Sequence, residues 1–205
     1  MQHVTFRLET PLDYANSEFL IREAFWNVYQ PGCEEHFIVH NLRGDPQVVE
    51  SLNLVCTDPE GQLIGHIFYT RSQVQSAPDT SWPVLTFGPI SVHPTFQKKG
   101  IGSELIRRSM ASAKGMGFPG ILITGNPAYY HRFGFRPASD YGIVFQDGSS
   151  FPELMACELS PGALDNVHGR LLFCPQFSNV DPVALEAFDL HFPPKTRLKK
   201  PGQLH

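Results

Sequence analysis

Residues 97–102, QKKGIG, place two lysines and two glycines directly before a helix-like segment. Glycine lets the backbone approach a ligand closely, and the N–H groups of a first helical turn point toward an anion. The positive end of the helix dipole and the lysines favour the same ligand. A phosphate or pyrophosphate site is therefore predicted at seven consecutive residues: Gln97, Lys98, Lys99, Gly100, Ile101, Gly102 and Ser103. A tight strand-to-helix turn would use the same glycines, so both interpretations stay open.

Two well-known phosphate loops do not fit this segment. A P-loop has Gly-x-x-x-x-Gly-Lys-[Ser/Thr], whereas here the lysines precede the glycines. The Rossmann dinucleotide fingerprint needs a third glycine, but Leu105 stands at that position. No acidic residue follows about 20 positions later in the right context. The segment is therefore predicted to be an anion-binding loop of another kind.

The elements around the loop predict a mixed α+β fold. An apolar strand at 84–92, the loop, an amphipathic helix at 102–117 and a short strand at 120–125 form a parallel crossover. The turn sequence DPEG at 58–61 predicts a hairpin of 48–57 with 63–74. Other strands are expected at 3–10, 141–145 and 154–159, with 141–145 paired to 154–159, and a further apolar segment lies at 169–174. Helices are expected at 11–29, 33–43 and 181–192, and a short helix and turn at 128–135.

The composition indicates a soluble globular protein. Of its 205 residues 41% are hydrophobic and 18% charged, and the net charge of −4 argues against nucleic acid as a partner. Four scattered cysteines without a Cys-x-x-Cys pair argue against a zinc site and against disulfides. No segment has the roughly 20 apolar residues of a membrane helix, and no secretory signal is visible. A cytoplasmic location without membrane contact is predicted.

Three motifs in the right order carry a family resemblance. QKKGIG is preceded by Ile90-Ser91-Val92-His93-Pro94 and followed by Tyr130-His131-Arg132-Phe133-Gly134-Phe135. This arrangement resembles the GCN5-related N-acetyltransferase (GNAT) superfamily, in particular a bacterial subgroup of YhbS-like acetyltransferases. The resemblance is clearest over residues 84–138. It implies the GNAT fold: a mixed, largely antiparallel central sheet with a parallel, splayed strand pair, flanked by helices.

The resemblance implies acetyl-CoA as cofactor and a splayed strand pair as its place. Pro89 lies inside a strand, where proline removes a ladder N–H and marks an edge or a bulge. In the family, two parallel strands part at a bulge and the cofactor arm pairs with the exposed backbone. The resemblance places that arm along Ile90, Ser91 and Val92, and against Asn126. A proline on a plain edge strand remains the alternative.

The implied chemistry is acetyl transfer to an amine by direct attack. The resemblance assigns protonation of the departing thiolate to Tyr130, or to Tyr129 if the helix register differs. His66 is proposed as the general base because its usual pKa is near neutral, although a half-buried structural histidine is an alternative. Glu34, Glu35 and His36 form a further candidate cluster near the expected acceptor cleft, and a solvated helix start is its plainer interpretation. His93, beside the loop, is expected to have a structural or phosphate-contacting role.

The leading functional prediction is an N-acetyltransferase acting on a primary amine of a small molecule or peptide. A CoA-binding regulatory module with weak or no catalysis is the alternative. Residues 1–159 are predicted to form the catalytic core, 160–192 an extension packed on it, and 193–205 a solvated basic tail. Since homodimers are common in the family, a homodimer is among the expected assemblies.

Overall fold

The computed structural model describes residues 4–177 and 179–203. Within that part of the chain, the strands are β1 (Thr5–Leu8), β2 (Leu54–Thr57), β3 (Leu63–Ala77), β4 (Thr80–Val92), β5 (Gly120–Thr124), β6 (Arg136–Pro137), β7 (Ile143–Val144), β8 (Leu154–Glu158) and β9 (Gly169–Leu172). The α-helices are α1 (Tyr14–Phe25), α2 (Glu35–Leu42), α3 (Ile101–Lys114), α4 (Pro127–Tyr130) and α5 (Pro182–Asp189). None of the helices in the described part is long and apolar enough to span a membrane.

The strands form one mixed sheet in the order β1-β2-β3-β4-β5-β8-β6. Neighbours along this order are antiparallel except β4 and β5, which are parallel and joined through α3. β9 pairs antiparallel with the far end of β3 and parallel with β7. The predicted α+β class, with one parallel crossover in a largely antiparallel sheet, is confirmed.

The parallel pair opens at the position that Pro89 indicated. β4 and β5 are in register only at Leu85 and Ile121. Just beyond that point the pairing of β4 with β3 shifts, so that Gly88 and Pro89 together stand opposite Phe68. Two residues opposite one make a β-bulge, which bends the bulged strand. The predicted bulge is therefore present, and β4 departs from β5 beyond it.

Helices cover both faces of the sheet. Phe68 and Tyr69 are consecutive on β3 and so point to opposite faces. The Phe68 face packs against α1 and α2, whereas the Tyr69 hydroxyl reaches Ser109 of α3 at 2.9 Å. Gly65 is required beneath α3, since a Cβ there would come within 2.8 Å of Ile101. This tight packing holds the start of α3, and with it the glycine loop, close to the sheet.

Some expectations about individual elements are wrong. The predicted pairing of 141–145 with 154–159 does not occur, because β7 pairs with β9 and β8 lies between β5 and β6. The strand predicted at 48–57 is reduced to β2, since residues 50–52 form a 3-10 turn. Short apolar segments cannot reveal their partners, which explains the pairing error.

The chain after α5 lies against α1 although it has neither helix nor strand up to Lys200. Lys195 and Arg197, expected in a solvated tail, make ion pairs in the structure: Lys195 with Glu23 at 2.9 Å, and Arg197 with Asp189 at 3.0 Å. The helix predicted at 181–192 is present as α5. The division of the chain at residues 159 and 192 stays a prediction.

Candidate active site

A cleft of about 620 Å³ opens where β4 ends and α3 begins. Eight of the residues predicted to bind a cofactor line it: Ile90, Val92, Gln97, Lys98, Gly100, Ile101, Gly102 and Ser103. Three residues for which no cofactor contact was predicted also line it: Phe96, Tyr129 and Arg132. The structure therefore brings the end of the splayed strand and the glycine loop into one cavity.

The glycines shape the loop for different reasons. Gly100 precedes α3 with a φ of +87°, in the left-handed region that favours glycine. At Gly102 the reason is space, since a Cβ would lie 3.3 Å from the Tyr129 hydroxyl and 3.4 Å from Val92. The Gln97 side chain donates a hydrogen bond to the Val92 carbonyl at 3.2 Å and ties the loop to the strand. A side chain at position 102 would narrow the cleft.

The backbone of β4 offers hydrogen-bond donors to the cleft. The His93 N–H donates to the Ile64 carbonyl of β3 at 2.9 Å. Because successive N–H groups alternate across a strand, those of Val92 and Ile90 point away from β3, to the side where β5 has departed. Ser91 points elsewhere: its side chain is buried and its hydroxyl has no partner among the described residues.

The charges at the loop divide between the cleft and its surroundings. Lys98 and Arg132 line the cleft, and the Arg132 guanidinium lies 4.8 Å from the ring centre of Tyr129. Lys99 instead lies over the Phe96 ring at 4.8 Å. Asn126, predicted to contact the cofactor arm, accepts a hydrogen bond from the Ala128 N–H at 2.9 Å and caps α4.

Tyr130 lies in an aromatic cluster beside this cleft. Its ring centre is 6.0 Å from that of Phe87 and 5.8 Å from that of Phe135. The ring covers Gly125, where a Cβ would come within 2.3 Å of it. Burial, and then the neighbouring phenols of Tyr129 and Tyr29, raise the pKa of Tyr130. Its hydroxyl is therefore protonated at neutral pH.

His66 is fully buried on the sheet face that packs against α1. It stands opposite Ser91 of β4, and its Nε2 is 3.3 Å from the Glu9 carboxylate. This is an ion-pair distance, but the ring N–H is not directed at the carboxylate as in a hydrogen bond, and neither ring nitrogen has another partner in the described chain. Burial would raise the pKa of Glu9, but contacts with His66 and Arg43 outweigh it and lower the pKa to about 2.

Near the bulge, the same sheet face carries hydroxyl groups. Thr70 stands opposite Thr86, and Thr86 shares a 2.8 Å hydrogen bond with Ser72. The Thr70 hydroxyl is buried and has no partner among residues 4–177 and 179–203. Because neither β3 nor β4 has a carboxylate, a carboxylate base would have to come from another element.

Glu35, the first residue of α2, is a half-buried carboxylate of this kind. It accepts a 3.1 Å hydrogen bond from the Glu34 N–H and forms no ion pair within the described chain. Burial raises the pKa of Glu35 to about 7, and the like charge of Glu34 adds to the effect. After burial, Glu35 in turn raises the pKa of Tyr29. Glu35 thus acts electrostatically on Tyr29, and Tyr29 on Tyr130, each raising the pKa of the next group.

Glu34 and His36, the other two residues of the predicted cluster, contact different groups. Glu34 borders a separate cleft with Cys33 and Arg197. His36 is fully buried, and its Nε2 lies 3.0 Å from Asp189. Burial lowers the pKa of His36 to about 4, so its ring is neutral at neutral pH. His93 bonds Thr95 at 2.9 Å within its own loop. No group of three or more metal-binding side chains suited to an ion occurs within the described ranges.

The sequence did not indicate that Tyr129 and Arg132 lie in the cleft. Tyr129 was named only as an alternative proton donor and Arg132 was given no role, yet both line the cleft. They are three residues apart across the short helical segment that follows β5, so they share one face of it. The spacing predicts that the two side chains share a face, but whether that face points into the cleft depends on the orientation of α4.

The region from α1 through α4, which includes β4 and the glycine loop, matches the model of one protein family. The family model described as "Acetyltransferase (GNAT) domain" matches residues 16–138. This chain therefore belongs to the GNAT acetyltransferase family, as predicted.

Two relatives show the same fold at moderate identity. The uncharacterized N-acetyltransferase YhbS of Escherichia coli K12 is 28% identical over 172 residues, covering 84% of this chain and 97% of YhbS. The crystal structure of E. coli YhbS in complex with CoA has a TM-score of 0.78 and 25% identity, covering 88% of this chain and 95% of that one. A GNAT acetyltransferase from Brucella melitensis, solved with acetyl-CoA, has a TM-score of 0.68 and 29% identity, with 87% and 100% covered.

Proposed function

We propose that the protein transfers the acetyl group of acetyl-CoA to a primary amine of a small molecule or peptide. The main observation behind this proposal is that the end of β4 and the glycine loop line the same cleft of about 620 Å³. Both similar structures described above were solved with CoA or acetyl-CoA. The cleft combines backbone donors, a helix start and basic side chains, and so suits that thioester and its phosphates.

Different residues of the cleft are proposed to bind different parts of the cofactor. The N–H groups from Gln97 to Ser103 are proposed to hold the pyrophosphate, with Lys98 and Arg132 adding positive charge. The outward N–H groups of Ile90 and Val92 are proposed to bond the extended arm as a neighbouring strand would. The Ile90 N–H, next to the bulge, would then also polarise the thioester carbonyl.

Tyr130 is proposed as the general acid. A thiolate with a pKa of about 8.5 or above needs a proton as it departs. Tyr130 is protonated because its pKa is raised, and it lies beside Tyr129, which lines the cleft. The ring contacts with Phe87 and Phe135 fix its orientation. Tyr129 is proposed to contact the cofactor, since its hydroxyl lies next to Gly102.

Two groups are candidates for the general base. His66 was proposed from sequence, but it is fully buried, so it would have to act through water. Glu35 has a pKa of about 7, which suits removal of a proton from an ammonium group at neutral pH. Its charge also raises the pKa of Tyr29. We therefore propose Glu35 as the base and keep His66 as the rival that a pH profile distinguishes.

A panel of amines tests the proposed function. Each amine is incubated with acetyl-CoA and the protein, and release of the CoA thiol is followed together with the mass of the product. We expect acetylation of at least one primary amine by the wild type and none by Gly102→Asp, which places a carboxylate in the proposed pyrophosphate site. Binding of acetyl-CoA without acetylation of any amine would favour a CoA-binding regulatory module.

A further inference from the structure

The loop between α1 and α2, residues 26–34, depends on a distant part of the chain for its conformation. It contains neither helix nor strand. Its polar contacts reach residues 182–203, which we name the C-terminal strap: helix α5 and the segment that follows it. Four hydrogen bonds between the α1–α2 loop and the strap join residues 169 to 176 positions apart. The strap therefore supplies partners that the loop lacks within its own neighbourhood.

Asn27 is the centre of these contacts. It is 6% exposed and has a φ of +58°, which few side chains other than asparagine accept. Its amide donates to the Thr196 carbonyl at 2.9 Å and accepts from the N–H groups of Leu198 at 3.0 Å and Gly32 at 2.8 Å. Its backbone carbonyl accepts a hydrogen bond from the Gln203 side chain at 3.1 Å. One buried side chain thus joins both ends of the loop to the strap.

A second set of contacts holds α5 to the helices on both sides of the loop. Asp189 of α5 bonds Arg22 of α1 at 2.9 Å and lies 3.0 Å from His36 of α2. Arg22 is 2% exposed and His36 is fully buried, so a charge left unpaired here would be costly. Trp26 donates to the Thr196 carbonyl at 3.0 Å, and the Arg22 guanidinium lies 4.1 Å from its ring centre.

The loop fixed in this way carries residues of the acceptor side. Tyr29 is 50% exposed and packs on Phe25 at 6.0 Å between ring centres, and its phenol contributes to the raised pKa of Tyr130. Glu35 follows the loop directly and is flanked by His36, which Asp189 holds. The cofactor cleft, in contrast, is lined by β4, the glycine loop and the α4 region, none of which is in the strap.

We propose that the C-terminal strap positions the acceptor side of the active site by holding the α1–α2 loop, which carries Tyr29, and the adjoining Glu35, and that it thereby sets the affinity for the amine but not for acetyl-CoA. This proposal rests on the proposed function. Asn27, Asp189 and Gln203 are then positioning residues, since they act through the loop and do not touch the reacting atoms.

Two variants release the strap with little risk to folding. Asn27→Gly removes the central side chain and keeps access to the left-handed conformation. Gln203→Ala removes the bond to the Asn27 backbone carbonyl, together with two bonds inside the strap, to Lys200 and Leu198. The matched control is Gln176→Ala, because Gln176 bonds Asp45 at 2.8 Å near the far end of α2 and does not touch the loop. In a Trp82→Phe background, the emission of Trp26 reports whether the strap has moved.

We expect Asn27→Gly to raise the KM for the amine about tenfold and Gln203→Ala about threefold, with the Kd for acetyl-CoA changed less than twofold in both. Gln176→Ala should leave both constants unchanged. The proposal is overturned if Trp26 emission shows release of the strap while the KM for the amine stays the same, or if acetyl-CoA binding weakens equally.

Hydrogen exchange separates this proposal from the proposed function. If the wild type acetylates no amine, the proposed function fails, but the strap still predicts faster exchange at residues 26–34 in Asn27→Gly. Exchange at residues 97–103 should not change. Equal exchange at 26–34 in the wild type and in both variants would show that the strap does not hold the loop.

Discussion

The two sides of the proposed active site are built differently. The cofactor side comes from nearly continuous sequence, in which β4, the glycine loop and α3 follow one another, and its proposed contacts are mostly backbone N–H groups. The acceptor side joins the α1–α2 loop and α2 to the C-terminal strap through side chains some 150 to 170 positions apart. A contiguous backbone site is readable from a short motif, whereas a site made by long-range side-chain contacts is not.

The charge balance differs in the same way. On the cofactor side, Lys98 and Arg132 face the cleft, as an anionic ligand requires. On the acceptor side, Glu35 is half-buried with no ion-pair partner among the residues described. Buried carboxylates away from this side, such as Glu9, are paired with arginine. An unpaired, half-buried carboxylate lowers stability, and the proposed role of Glu35 as general base is a functional reason for keeping it there.

The largest effect is expected at Tyr130, where the two sides meet. Tyr130→Phe keeps the ring contacts but removes the proton donor, so kcat should fall about 10²–10⁴-fold. The Kd for acetyl-CoA should change little. Tyr129→Phe is the matched control: its hydroxyl adjoins Gly102, so it should alter acetyl-CoA affinity and leave kcat nearly intact. Steady-state kinetics of a Tyr130→Phe enzyme with full kcat would mean that another donor supplies the proton.

A somewhat smaller loss, about 100-fold in kcat/KM for the amine, is expected for Glu35→Gln. A base with a pKa of about 7 must be deprotonated to act, so wild-type kcat/KM should fall as the pH drops below about 7. The variant should lack this acid limb. Glu34→Gln, next to it but bordering another cleft, is the control. If His66→Asn and not Glu35→Gln removes the limb, the base is His66.

The same carboxylate should make the free energy of unfolding fall as the pH rises, whereas it makes the activity rise. The folded pKa of Glu35 is raised from 4.5 to about 7, so its contribution is present below about pH 4.5 and lost as the pH rises through 7. The difference in unfolding free energy between Glu35→Gln and the wild type should therefore shift by about 1–3 kcal/mol in favour of the variant between pH 5 and pH 8. Glu9, with its pKa lowered to about 2, should behave in reverse: Glu9→Gln should be destabilised at pH 7. Urea denaturation at both pH values measures the two variants.

The smallest predicted effect distinguishes the two lysines of the loop. Lys98 lines the cleft and Lys99 lies over Phe96. Lys98→Ala should weaken acetyl-CoA binding about threefold to fivefold, the size expected of an exposed charge contact, and less at high salt. Lys99→Ala should change it by less than twofold. Acetyl-CoA affinity is measured by titration at two salt concentrations. Equal losses of affinity in both variants would indicate that the lysines attract the cofactor only through their overall charge, without a defined contact from Lys98.

Sequence reasoning reached further for the fold than for the site. Local patterns indicated the β4–α3–β5 crossover, and Pro89 indicated the bulge, because the chemistry of glycine and proline acts at the residue itself. The pairing of β7 with β9 was missed, since two-residue strands carry no signal of their partner. Asn27 and Asp189 were missed because their importance lies in contacts about 150 positions or more away, and Arg132 because its direction depends on how α4 is placed.

The most direct test of the cofactor side is calorimetry of acetyl-CoA binding to the wild type, Gly102→Asp and Ser112→Asp. Position 102 opens into the cleft, whereas Ser112 is exposed near the other end of the same helix. The wild type and Ser112→Asp should bind alike. Gly102→Asp should lose about 100-fold or more, which corresponds to about 2.7 kcal/mol. Unchanged affinity in Gly102→Asp, with the fold intact by circular dichroism, would show that acetyl-CoA binds elsewhere.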